Sequence, residues 1–106
     1  MKQFIVLAYD AKDAGALERR MKARPEHLEV MKAMRAKGHM IFGAALTDDN
    51  DTMIGSLIAC NVPSRAELDE WLKVEPFVVH KVWGEVKVIP SKLSPVYADY
   101  LEKKAS

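Results

Sequence analysis

A histidine, a carboxylate before a proline and a run of arginines give this sequence the means for proton chemistry on a small anionic molecule. His27 lies in the stretch Arg24–Gly38, whose apolar positions Leu28, Val30, Met31, Ala33 and Met34 share one face at ~3.6 residues per turn, with His27 close to its middle. An imidazole there is either a buried histidine with one good partner or a working acid/base. Glu75 precedes Pro76, so the backbone at Glu75 is held extended just past the end of a helix. A carboxylate that accepts one ring N–H of His27 fixes the tautomer and leaves the other nitrogen free to take a proton. Arg19, Arg20 and Arg24 supply guanidinium forks of the right shape for a carboxylate or phenolate oxygen. Ser56 sits in Ile-Gly-Ser-Leu, which lacks the strained strand-to-helix turn of a nucleophile elbow, so a hydrogen-bonding role is expected of it. His80 is a reserve candidate for the base.

The elements that position these residues follow from pattern. Residues 2–8 form a near-continuous apolar run rich in strand formers. Proline disfavours helical geometry at the preceding Arg24, so the chain is expected to break there and to start its first long helix at Pro25, one turn before His27, ending at Gly38. Residues 39–46 and 53–62 read as a strand hairpin around the turn residues 47–52. Ser64 and Glu67 form a capping-box pattern before Leu68, Trp71 and Leu72 at helical spacing, and residues 82–89 form a fourth strand. The order strand, helix, strand, strand, helix, strand predicts an α+β fold, a ferredoxin-like βαββαβ split sandwich with a four-stranded antiparallel sheet and both helices on one face. That topology brings His27, Ser56 and Glu75 to one rim and sends His39 to the opposite end. The helix-free face is apolar, which implies a homodimer through it. Residues 1–90 are read as one domain. Residues 91–106 form an extension in which Ser94, Pro95 and the spacing of Val96, Tyr97, Tyr100 and Leu101 predict a short amphipathic helix lying on the dimer.

Bulk composition narrows the function. Lysine and arginine number 16 against 15 aspartates and glutamates, so no overall field gathers nucleic acid or anionic lipid. No apolar run approaches the ~20 residues that span a bilayer. A lone cysteine, Cys60, and a short strand-like start fit a reducing cytoplasm. Asp48, Asp49 and Asp51 lack the glycine and distant glutamate of a calcium loop, and no other residues have ligand spacing, so no metal is expected.

Arg24-Pro25-x-His27-Leu28, Gly43, Met53-Ile54-Gly55-Ser56 and Glu75-Pro76-Phe77 together resemble the YciI-like (YCII) family of small dimeric α/β-barrel proteins over about residues 1–90. The resemblance implies that His27 and the residue at position 75 form an active-site pair, with glutamate here where the family has aspartate in an Asp-Pro-Tyr or Asp-Pro-Phe triplet. It also implies a branch acting as a dehydrochlorinase on chlorinated hydroxyquinols, and a wider set of dimeric barrels that includes muconolactone isomerases and cofactor-free monooxygenases. The leading expectation is a cofactor-independent lyase or isomerase in which His27, oriented by Glu75, moves a proton on an aromatic or enol-type substrate. Arg20 or Arg24 would hold an anionic oxygen, and Phe77 with Met31 would form an apolar wall. The competing expectation is a non-catalytic dimeric binding or stress-associated module with a structural His27.

Overall fold

Strand β1, Lys2–Asp10, alternates Phe4, Val6 and Ala8 into the core with half-buried Ile5 and Leu7 on the other side, the two-residue period of a sheet with helices on one face. In the computed structural model, which describes residues 1–105 except for the side chains of 102–105, β1 lies between β3 (Met53–Val62) and β4 (Trp83–Ser91), antiparallel to both. Strand β2 (Met40–Thr47) pairs with β3, giving the order β2-β3-β1-β4, the antiparallel sheet of a ferredoxin-like split sandwich. Asp48 makes the β2–β3 turn by accepting from the amides of Asn50 and Thr52, at 2.8 and 3.1 Å. Gly55 lets β3 approach β1, because a Cβ there would stand 2.4 Å from the carbonyl oxygen of Ala8. Cys60 is fully buried and packs as a small hydrophobe, its thiol pushed up to about 12 by burial. Among the described residues, no helix is long and apolar enough to cross a membrane.

The first long helix differs from the expected one. It runs unbroken from Ala16 to Ala36 as α1, with Pro25 inside it, so His27 lies about three turns from its N-terminus. An interior proline costs about 3 kcal/mol. The Met21 carbonyl that loses its donor belongs to an exposed residue open to water, and Ala16, Arg20 and Ala23 are buried ahead of the proline. Tertiary burial therefore overrides the local break. The buried stripe shifts as well: it is Ala16, Arg20, Ala23 and His27, continued by half-buried Val30, Met31 and Met34, while Leu28 and Ala33 face outward. Gly38, at φ 78°, closes the helix as expected, with the amides of Gly38 and His39 donating back to Arg35 and Met34.

Helix α2, Arg65–Val74, is capped by Ser64, whose hydroxyl accepts from the Glu67 amide at 3.2 Å. Pro76 ends it, and then opens one further turn, α3 (Pro76–Val79), which the sequence reading did not foresee. Glu75 stands extended between the two. Beyond β4, a 3-10 turn at Pro95–Tyr97 leads into α4, Ala98–Ala105, which packs against β2 of its own chain.

Candidate active site

A cleft of about 1060 Å³ opens between α1 and β2. It exists because the sheet residues opposite α1 are small: Gly43 and Ala45 stand across from Ile58 and Ser56, and a Cβ added at Gly43 would meet nothing closer than 3.7 Å. Arg24, His27, Leu28 and Met31 of α1 line one side, β2 the other, with Arg20, Ser56 and Phe77 also contributing to the lining.

His27 and Glu75 meet directly. His27 Nδ1 is hydrogen-bonded to Glu75 Oε1, with His27 8% and Glu75 0% exposed. The same oxygen accepts from the Phe77 amide at 3.3 Å, so Glu75 is at once the cap of α3 and the partner of the ring. A carboxylate only accepts, which places the ring proton on Nδ1 and leaves Nε2, on the side away from Glu75, for other chemistry. The ring stacks on Phe77 with centroids 4.0 Å apart at 14°, and Trp83 meets it edge-on at 6.5 Å. Orientation of His27 is thus fixed by a carboxylate, by the stacked face of Phe77 and by the edge-on contact with Trp83.

The three arginines separate. Arg19 pairs with Asp13 at 2.7 Å, holding that carboxyl down at about 2, and donates to the Lys81 carbonyl at 2.9 Å, away from the cleft. Arg20 is 2% exposed: Nε donates to Asp10 at 2.8 Å, Nη2 donates to the Gly55 carbonyl and to Ser56 Oγ at 2.6 Å, and the guanidinium lies 4.6 Å over the Phe77 ring. Arg24 lines the cleft, half-buried, and makes no ion pair or side-chain hydrogen bond among the described residues. Of the two arginines expected to hold a substrate oxygen, Arg24 has the uncommitted guanidinium.

Ser56 receives two obligate donors, Arg20 Nη2 and Trp83 Nε1, the latter at 3.1 Å. Both lone pairs of the hydroxyl are then filled, and what it has left to give is its own proton. This matches the hydrogen-bonding role expected of it and is the wrong arrangement for a nucleophile. His80 is exposed and lies 3.5 Å from Glu26, outside the cleft. His39 lies just before β2, at the far end of α1 from Arg20, as the topology required.

Asp10 and Trp83 belong to this site and were not singled out from sequence. The signal that could have found Asp10 is the stripe at 16, 20, 23 and 27: an arginine on a buried face requires a carboxylate, and Asp10 ends β1 beside it. Trp83 carried no signal beyond opening a strand.

The chain is similar to Protein YciI of Escherichia coli O6:H1 and of Shigella flexneri, each 26% identical over 95 residues, which covers 84% of this chain and 95% of the relative. Among solved structures it resembles the 5-chloro-2-hydroxyhydroquinone dehydrochlorinase TftG of Burkholderia phenoliruptrix AC1100 in complex with 2,5-dihydroxybenzoquinone, with TM-score 0.74 and 22% identity over 87% of this chain and 95% of that one. A likeness of fold extends to an antibiotic biosynthesis monooxygenase of Bacteroides thetaiotaomicron VPI-5482, with TM-score 0.55 and 14% identity over 87% of this chain and 90% of that one. The family model for the YCII-related domain matches residues 2–92, and the chain belongs to that family.

Proposed function

We propose that this protein is a cofactor-independent lyase or isomerase acting on a planar aromatic or enol-type anion, with His27 as the proton-transfer residue. The observation that carries the reading is the His27–Glu75 contact in the lining of the cleft: a buried carboxylate holds Nδ1, and a carboxylate partner on that nitrogen leaves Nε2 as the one to take up a proton. Arg24 holds an anionic oxygen, and Ser56 donates its remaining proton to an acceptor oxygen. Phe77 and Met31 provide the apolar wall. Proton removal from carbon by Nε2, followed by departure of a leaving group or return of the proton at another carbon, gives elimination or isomerisation without a change in redox state. The fold likeness to TftG, a dehydrochlorinase, supports elimination as the first reaction to test. A panel of chlorinated hydroxyquinols and muconolactones assayed with purified protein tests the reading, and no turnover of any member would remove it.

Glu75→Gln keeps an oxygen to accept from Nδ1 but loses the charge, and turnover is expected to fall by about ten- to a hundred-fold, the worth of one hydrogen bond to a charged group. Glu75→Asp keeps the charge and the family's usual side chain, so it should retain more activity than Glu75→Gln. Equal rates for the two variants would show that the charge does not matter.

The protein is further proposed to act as a homodimer in the cytoplasm, paired through the helix-free face of the sheet. Ile5, Leu7, Tyr9, Phe42, Leu57 and Ile89 lie on that face by strand register, and Tyr9, Phe42 and Ile89 are exposed on the single chain. Sedimentation is expected to give twice the chain mass at micromolar concentration. A folded monomer there would exclude the pairing.

A further inference from the structure

Residues 93–106 lie beyond the stretch that matches the family, yet the tail is tied to the sheet and returns to the cleft. Its base is fixed where the Leu93 amide donates to Gln3 Oε1 of β1. Ser94 then caps the 3-10 turn by accepting from the Val96 amide at 3.4 Å, and α4 runs against β2. Tyr100 lines the same cleft as His27 and Arg24, and Tyr97 braces it edge-on with ring centroids 5.5 Å apart. Every other lining residue falls within the family match. Because β2 is an edge strand, no further strand walls the cleft on that side.

We propose that the tail forms the outer wall of the cleft and that Tyr100 is a specificity-determining residue, placing an aromatic ring against planar, quinone-like or phenolic anions. The inference rests on the cleft being the substrate site. An aromatic wall on a removable segment favours flat ligands, while Arg24 supplies the charge complement.

The test compares the full chain with Tyr100→Ala, Tyr100→Phe and a chain ending at Leu93, in two measurements. Without ligand, amide NMR of Tyr100→Ala is expected to move the Gly43, Ala44 and Ala45 resonances. If these stay in place and only tail resonances change, the tail does not seat on the cleft and the proposal fails. With 2,5-dihydroxybenzoquinone as the probe, Tyr100→Ala and the shortened chain are expected to bind about 3- to 10-fold more weakly, the scale of one aromatic contact, while Tyr100→Phe binds as the full chain does. Equal affinity of Tyr100→Ala and the full chain would overturn the specificity role. Failure of the full chain to bind the quinone counts against the proposed substrate class, and the NMR measurement then decides the tail alone.

Discussion

Replacing His27 with glutamine is expected to lower turnover by roughly 10²- to 10⁴-fold while leaving thermal unfolding almost unchanged. Glutamine retains much of the ring's volume and an amide N–H that can donate to Glu75, so the buried carboxylate keeps a partner. What it removes is the nitrogen that takes up a proton. The competing structural role gives the opposite pattern: a loss of about 1 to 3 kcal/mol in stability from an imperfectly paired buried group, with ligand binding falling only as far as the fold does. Activity on the hydroxyquinol and muconolactone panel, measured beside thermal unfolding, separates the two. An active His27→Gln protein sinks the catalytic assignment.

The largest effect on stability is expected at Arg20. Arg20→Met leaves the Asp10 carboxylate buried with no cation, strips Ser56 of a donor and opens space over Phe77. Breaking one side of a buried pair costs about 3 to 5 kcal/mol, because the remaining charge keeps its desolvation penalty. Urea unfolding of Arg20→Met should show that loss. The double variant Arg20→Met with Asp10→Leu should recover part of it, since two apolar groups need no partners. If Arg20→Met alone unfolds within about 1 kcal/mol of the parent chain, the pair is no structural anchor. The corresponding change at Arg24 should leave stability nearly untouched, as expected of a half-buried side chain with no ion pair among the described residues.

The sequence made the sheet legible because each strand carries its signal locally. Residues 53–62 are a short, largely apolar run that stops at a proline, and the turn residues before them are rich in aspartate. The pairing of His27 with Glu75 is reached from the sequence, although the helix start at Pro25 used to place His27 at the rim is not the one observed. What escaped was whatever depends on tertiary burial. Pro25 reads as a break when only its neighbours are considered, and the helix passes through it because Arg20 and Ala23 are buried on the near side. Arg20 reads as a ligand clamp because a guanidinium fork has the right shape for a carboxylate or phenolate oxygen; its commitment to Asp10 is visible only once β1 is known to end beside it. Tyr100 could not be placed because a short amphipathic tail carries no information about which surface it covers.

The smallness of Gly43 and Ala45 on an edge strand has a consequence for tolerance to substitution. Asp10, Arg20, Ser56 and Trp83 are joined in a continuous buried chain of hydrogen bonds, so a change at any of them is felt as a loss of fold before it is felt as a change in chemistry. Gly43 and Ala45 carry no such debt: they are exposed, have no polar side chain, and face the cleft from a strand bonded on one side. Substitutions at Gly43 and Ala45 are therefore expected to reshape the cleft at little cost in stability, whereas substitutions at Arg20 or Asp10 are expected to unfold the chain first.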